Sequence, residues 1–143
     1  MPNRDTHDNI SVVRSVSPVV VGTTGTGQVG KIVDRRGYDG VEFIISYGTI
    51  TATSATILPV VKEGDATGTM TSIADADLLG TEAGAGIAAA VRTSGTTKNV
   101  TKRLGYVGIK RYVSVNIVPT ATAGPPVSAS VLLTRPARAP VAT

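Results

Sequence analysis

The chain has 143 residues and a formal net charge of +4. That length suits one domain with a real hydrophobic core, and the absence of cysteine excludes disulfides, thiolate metal sites and cysteine nucleophiles. All ten acidic residues lie between Asp5 and Glu82, so the first 91 residues, with six basic side chains, carry −4 and the last 52, with eight, carry +8. This asymmetry suits contact with nucleic acid, with an acidic protein surface or with a second copy, unless the two halves interleave in the fold.

The N-terminal part is polar at first and then extended. Residues 1–9 contain no apolar run of the length that a signal peptide needs, and nowhere do about 18 apolar residues occur together. We therefore expect neither secretion by the usual route nor a membrane-spanning segment. Residues 10–22, ISVVRSVSPVVVG, indicate an extended segment. Pro18 restricts it to an edge strand or to an arm that lies on a neighbouring molecule.

The middle of the chain has the clearest strand patterns. Residues 31–34 predict a short strand before a glycine-containing turn. Residues 41–48 follow with the period of a strand that buries one side, since Glu42, Ile44 and Ser46 alternate with Val41, Phe43, Ile45 and Tyr47. Residues 54–64 predict another strand, and Pro59 places it at an edge or a bulge because proline has no N–H donor.

The second half continues the pattern of short strands. Residues 69–74 predict a short strand, and residues 75–91 predict a loop with at most one helical turn, because each of their three glycines costs a helix about 1 kcal/mol. Three further strands are predicted at residues 99–108, 110–118 and 127–133. In the second of these, Val113, Val115 and Ile117 alternate with Tyr112, Ser114 and Asn116.

These elements predict an all-β fold. Seven to eight short strands between Gly/Pro turns, without βαβ alternation, favour an antiparallel β-sandwich or a jelly-roll-like barrel. Aromatic residues make up only 3% of the chain, so the predicted core is thin and aliphatic, and partner subunits are expected to supply part of the burial. We expect an N-terminal arm and glycine-rich hinge at 1–28, a body at 29–134 and a basic Pro/Ala tail at 135–143.

Residues 25–32, GTGQVGKI, satisfy two nucleotide-binding patterns, G-x-G-x-x-G and a G-x-x-x-x-G-K that lacks its final Ser/Thr. Such loops hold phosphate where a strand leads directly into a helix N-terminus. The residues after Lys31 predict strand and turn, and Ile32 occupies the position of the Mg²⁺-binding hydroxyl. We therefore expect no nucleotide site here, but a hinge between the N-terminal segment and the first strand of the body, with Lys31 a solvated charge.

No group of residues predicts catalysis or metal binding. The one histidine, His7, lies in the polar N-terminal stretch, where a fixed geometry with a nucleophile is not expected. Two carboxylate pairs, Glu63 with Asp65 and Asp75 with Asp77, lack the ligand series of a calcium loop. We expect no catalytic residue, no cofactor and no metal, and we interpret these carboxylates as solvated turn residues.

Basic residues near tyrosines occur at two places in the C-terminal half: Lys98, Lys102 and Arg103, and Lys110 and Arg111 beside Tyr106 and Tyr112. Such interleaving can grip phosphates and stack bases. However, the strand pattern favours packing of the tyrosines, and no nucleic-acid-binding fingerprint is present. Nucleic acid is therefore the disfavoured partner.

Three segments occur in the order GYDGVEFIISYG (37–48), DADLLG (75–80) and LGYVGIKRYVSVNIV (104–118). Together they resemble a group of small structural proteins encoded near the major capsid gene of tailed bacteriophages. The resemblance spans roughly residues 29–134, and GYVGIKRYV is its strongest element.

The resemblance implies a non-enzymatic virion protein, made in the cytoplasm of the bacterial host. Its implied role is that of a capsid decoration or cement protein. We expect it to bind the major capsid protein on the capsid surface as a closed homo-oligomer, with a trimer favoured. A head–tail connector or tail component is the alternative function, and a nucleic-acid-binding module is a more distant one.

Both ends of the chain are extended and contain proline, so we expect residues 10–21 and 135–143 to reach onto capsid subunits or neighbouring copies. Deletion of residues 1–21 is accordingly expected to leave the body folded. The candidate interaction residues are the valines of the first segment and basic residues of the second half: Val12, Val13, Val19, Val20, Val21, Lys102, Arg103, Lys110, Arg111, Arg135 and Arg138.

Overall fold

A computed structural model describes residues 6–21, 27–49, 56–87, 99–120 and 126–138. In these residues nine strands, numbered in chain order, form two antiparallel sheets that enclose one hydrophobic core. The all-β sandwich expected from the sequence is confirmed, and its sheets are not closed into a barrel.

The larger sheet has the strand order β1 (Ile10–Val20), β9 (Pro126–Pro136), β3 (Tyr38–Tyr47), β7 (Val100–Tyr106) and β6 (Leu78–Leu79). The smaller sheet has the order β2 (Val33–Asp34), β8 (Tyr112–Pro119), β4 (Ile57–Gly64) and β5 (Thr71–Ser72). Short 3-10 turns occupy His7–Asn9 and Asp75–Asp77, and one α-helical turn, α1, is formed by Glu82–Ala85. One helical turn is what the sequence allowed within residues 75–91.

The core follows the alternation read from the sequence. In β3, Phe43 and Ile45 are completely buried while Glu42, Ile44 and Ser46 are only partly covered. In β8, Val113, Val115 and Ile117 are completely buried in the same way. Ser114 departs from the pattern, since it is buried as well. The alternating faces of these two strands, one from each sheet, therefore supply much of an aliphatic core.

The N-terminal segment is the edge strand of the larger sheet, one of the two structures that Pro18 allows. β1 pairs with β9, and its register shifts between Arg14 and Val19, so Pro18 lies in a bulge where a ladder donor is not needed. Val16 and Val21 are buried in the core. Residues 10–21 are thus part of the sandwich and not a free arm, and their deletion would remove core side chains.

Pro59 lies on a part of the outer side of β4 that has no paired strand, in agreement with the edge position that the sequence predicts. On the outer side of β4, the N–H of Ile57 donates to the carbonyl oxygen of Ile87 at 2.9 Å, and the N–H of Val61 donates to the Glu82 carboxylate at 2.7 Å. Pro59 stands midway between these donors and presents no N–H of its own. Residues Glu82 and Ile87 therefore cover the edge of β4 at the positions where it has donors to satisfy.

The described part of the glycine-rich segment, residues 27–31, is packed against β1 and β8 and is not a hinge. The N–H of Lys31 donates to Ser15 of β1 at 2.8 Å, and Gln28 exchanges two backbone hydrogen bonds with Ile117 of β8. A Cβ on Gly30 would lie 2.0 Å from the Val115 oxygen, and Gly27 has a positive φ of 63°. Residues 27–31 thus tie an edge of one sheet to the other, and the glycines permit this close backbone approach. Gly22 and Gly25 lie outside the described residues.

We expect Gly30→Ala to lower the free energy of unfolding by about 1–3 kcal/mol, because the new methyl group would overlap the backbone of β8. Chemical denaturation would measure the loss. Gly68→Ala is the matched control, since a Cβ at Gly68 meets nothing within 4 Å. Equal stability of the Gly30→Ala protein and the wild type would contradict the close packing of this segment.

Candidate interaction surface

The three segments that carry the phage-protein resemblance meet at one end of the sandwich. Residues 107–111 cross there from β7 of the larger sheet to β8 of the smaller sheet, and these two strands do not pair with each other. We use the name hairpin end only as a label for this end of the sandwich. Tyr106 is the cross-strand neighbour of Val41 in β3 and of Leu78 in β6. The N–H of Val107 donates to the carbonyl oxygen of Asp77 at 2.9 Å. Segments distant in the sequence therefore build one continuous surface.

Tyr106 fixes the geometry of the hairpin end. Its ring is buried, and its hydroxyl donates to the Glu63 carboxylate of the opposite sheet. The same hydroxyl accepts the backbone N–H of Lys110 at 3.0 Å. Burial, together with the hydrogen bond to Glu63, raises the pKa of Tyr106 above its ordinary value. The phenol therefore stays protonated at neutral pH and can keep both hydrogen bonds.

Arg35 braces the loop between β7 and β8 from the other side. Its guanidinium lies 5.4 Å from the centre of the Tyr106 ring, and Nη1 donates to the carbonyl oxygen of Gly108 at 3.0 Å. A Cβ on Gly108 would lie 2.5 Å from the Tyr106 ring, so this close contact requires glycine. Backbone and side-chain contacts together hold residues 107–111 in one conformation.

The braced loop exposes apolar side chains. Ile109 is 89% exposed and Val107 is 51% exposed. Beside Ile109 lies a groove of about 410 Å³, lined also by Arg35, Arg36, Tyr38 and Arg111. Asp39 is the acidic residue among the lining side chains, so the groove has an excess of positive charge. We take this loop as the candidate interaction surface, because it combines two exposed apolar side chains with arginines, which are enriched among the residues that dominate binding energy.

Two of the predicted cations, Lys110 and Arg111, belong to the hairpin end and are paired there. Arg111 forms a two-point contact with Asp34, with Nη2 2.6 Å from Oδ2, and its guanidinium lies 4.8 Å from the centre of the Tyr112 ring. This hydrogen bonding lowers the pKa of Asp34. Lys110 contacts Asp65 at 2.5 Å. Both ion pairs are substantially exposed to solvent. They therefore orient the side chains and add little to the free energy of folding.

The remaining predicted cations are divided between two regions. Arg135 and Arg138 lie at the hairpin end, because Pro136 pairs with Tyr38 and the Ala137 N–H donates to Gly37. Lys102 lies away from it and donates to the carbonyl oxygen of Gly84 in α1 at 3.0 Å. Arg103 lies on the outer face of the larger sheet, 3.7 Å from Glu42. The structure therefore does not gather the basic residues into one patch.

The predicted valines of the N-terminal segment have different environments. Val12 and Val20 are exposed, Val13 and Val19 pack partly against the core, and Val21 is buried. Val21 is therefore a core residue, and its side chain offers little surface for the predicted interaction. Its burial follows from the pairing of β1 with β9, which brings the end of the segment over the core.

Ile109, Val107 and Arg35 were missed as site residues by sequence reasoning. A signal was present for Ile109, because this isoleucine stands between the predicted strands 99–108 and 110–118, where polar turn residues are the rule. Arg35 carries no comparable signal, since its role depends on the distant Tyr106 and Gly108.

Within the described ranges, no group of three or more His, Asp or Glu side chains could hold a metal ion. The expected solvated state does not hold for Glu63, which is partly buried beside Tyr106, and Asp65 pairs with Lys110. His7 is exposed, as expected from its place in the sequence. The described part of the chain also contains no helix of the length and apolar character needed to cross a membrane.

No protein-family model and no curated protein matches the chain. A solved structure of the xylanase Xyn10B from Clostridium thermocellum, containing CBM22-1 and GH10 modules with xylohexaose, is similar at 8% identity and a TM-score of 0.48. That likeness covers 96% of this chain and only 28% of the xylanase chain. Eiger TNF from S. frugiperda is similar at 10% identity and a TM-score of 0.32, over 95% and 92% of the two chains. At these values the likenesses say nothing about function.

We expect Tyr106→Phe to lower the free energy of unfolding by about 1–3 kcal/mol, because Glu63 loses its donor and the Lys110 N–H its acceptor in a partly buried place. Denaturant titration would measure this. Tyr112→Phe removes a hydroxyl with no hydrogen bond to the described residues and should change stability by less than about 0.5 kcal/mol. Similar losses in both variants would show that the Tyr106 hydroxyl does not organise the loop.

Proposed function

We propose that the chain is a non-enzymatic virion structural protein that binds the outer capsid lattice as a homo-oligomer and stabilises the shell. One observation carries this proposal: the segments on which the phage-protein resemblance rests meet at the hairpin end and present Ile109 on a braced loop. The proposed partner at this surface is the major capsid protein.

The bracing of Ile109 supports a binding role. Leaving a large apolar side chain 89% exposed gains nothing for an isolated chain. Holding its loop rigid lowers the conformational entropy lost on association, so more of the contact energy appears as affinity. The hydrogen bonds from Lys110 to Tyr106 and from Arg35 to Gly108 provide that rigidity before any partner arrives.

The charges beside Ile109 define the complementary surface. Arg36 has no carboxylate within salt-bridge distance among the described residues, and the same holds for Arg135 and Arg138 nearby. A partner that offers a small apolar socket for Ile109, with carboxylates around it, would match these side chains. In such a contact the isoleucine would anchor the partner, and the arginines would set its orientation.

A cement protein needs only modest affinity at each contact. Capsid expansion or disassembly must break the contacts of every bound copy, and copies that also contact one another are held at a high effective concentration. A small groove and a single apolar anchor are therefore compatible with strong retention on a lattice. A head–tail connector or tail component is the alternative, and copy number on particles separates the two: hundreds for a decoration protein, about six or twelve for a connector ring.

We expect Ile109→Asp to abolish binding to shells assembled from the proposed partner, the major capsid protein. The carboxylate would remove the apolar anchor and face a partner surface that we propose to be acidic. Co-sedimentation with the shells, quantified per capsid subunit, would measure occupancy.

Val29→Asp is the matched control for this test, because Val29 is 59% exposed and lies on the segment 27–31, away from the loop between β7 and β8. It should bind like the wild type. Loss of binding in both variants, or in neither, would contradict the assignment of the hairpin end as the capsid-binding surface.

We also expect duplex DNA not to bind at micromolar concentrations in about 150 mM salt, because Lys110 and Arg111 are already paired with carboxylates. A fluorescence titration at several salt concentrations would test this. Tight binding that weakens steeply with added salt would favour the nucleic-acid-binding alternative over the capsid.

A further inference from the structure

The four lateral edges of the two sheets are protected to very different degrees. The strands β2, β5 and β6 contain two residues each, and the outer side of β4 is covered by Glu82 and Ile87. β1 contains 11 residues. On its outer side the Lys31 N–H reaches Ser15, but residues 10–14 have no neighbouring strand in the described part of the chain. This stretch is the open edge of the sandwich.

The open edge lacks the features that keep strands from pairing with other molecules. Such features are charged side chains, proline, bulges and very short length. Residues 10–14, ISVVR, carry a single charge at Arg14, and the bulge and Pro18 come only after it. Val12, at the centre of the stretch, is 63% exposed. The backbone and the side chains of this segment both suit an additional strand.

We propose that residues 10–14 pair antiparallel with the same residues of a second copy, about a two-fold axis at Val12. The two larger sheets, of five strands each, would then form one continuous ten-stranded sheet. This strand pairing supplies the contact between copies in the homo-oligomer of the proposed function. The inference rests on that self-association alone and not on capsid binding. The oligomer proposed here is a dimer, in place of the trimer that we favoured from the sequence.

The side chains of this arrangement are self-complementary. Val12 faces Val12 of the second copy at a Cβ separation of about 4.5–5.5 Å, which removes two exposed apolar side chains from water. Arg14 faces Ile10, so its aliphatic stem covers an apolar neighbour. The two Arg14 side chains are separated by four residues along the strand, about 13 Å, so they do not repel at close range.

The second copy is favoured over other occupants because the pairing is closed. An isologous contact uses the open edge of both copies at once and leaves no long edge for a third. The opposite edge of the same sheet, β6, has only two residues and cannot continue the addition. Since five residues from each copy form a contact well below the usual interface size, the dimer is expected to be weak in solution and to depend on concentration.

Sedimentation equilibrium of the full-length chain, without capsids, tests the proposal. We expect the apparent mass to rise with concentration from 14.6 kDa toward that of two chains. Val12→Lys should weaken association at least tenfold, because it places a charge at the axis where it meets itself. Leu79→Lys is the matched control, since Leu79 is also 63% exposed and lies at the opposite edge of the same sheet, and it should associate like the wild type.

A cysteine variant tests the register directly, because the chain has no cysteine of its own. Val12→Cys should form a disulfide-linked dimer under mild oxidation, and Leu79→Cys should not. A wild type that stays monomeric at millimolar concentration, a mass of three chains, equal effects of the two lysine variants or absence of the Val12→Cys cross-link would each overturn the proposal. Each of these outcomes is independent of whether Ile109→Asp loses capsid binding, so the two proposals fail separately.

Discussion

The hydrogen bonds of the Tyr106 hydroxyl join the parts of the molecule on which any role of the hairpin end depends. The ring belongs to the core of the larger sheet, its donor bond reaches Glu63 in the smaller sheet, and its acceptor bond holds the backbone of Lys110. A tyrosine serves here because one side chain supplies both apolar area and a polar tip. The chain has only five aromatic residues, four of them tyrosines. One of these, Tyr106, lies where the two sheets meet the loop between β7 and β8.

Strand alternation made most of the sandwich predictable. β3 and β8 have one face of large apolar side chains, so a period of two identified both their structure and their buried side. The same reasoning could not distinguish an edge strand from an arm at residues 10–21, because Pro18 is compatible with either structure. The difference is decided by Val16 and Val21 entering the core, which is a property of the pairing partner β9 and not of the segment itself.

The candidate surface was predicted only in part. Charge patterns identified Lys110 and Arg111, but in the structure these residues pair with Asp65 and Asp34, which are far away in the sequence. The exposed apolar residue Ile109 lies between two predicted strands, and it was overlooked because the candidate interaction residues were chosen from basic side chains and N-terminal valines. Likewise, the glycines near residue 30 were interpreted as freedom of the chain, whereas Gly27 and Gly30 permit two backbones to touch. Composition cannot separate these two uses of glycine.

Both ends of the described chain leave the sandwich on the same side. Ile10 lies opposite Thr134, Pro136 lies opposite Tyr38, and Ala137 lines the groove beside Ile109. A foreign segment inserted next to Ala137 would therefore lie beside this groove and compete for it. An insertion between β8 and β9 would leave the groove free, because those strands end and begin at the opposite side of the sandwich.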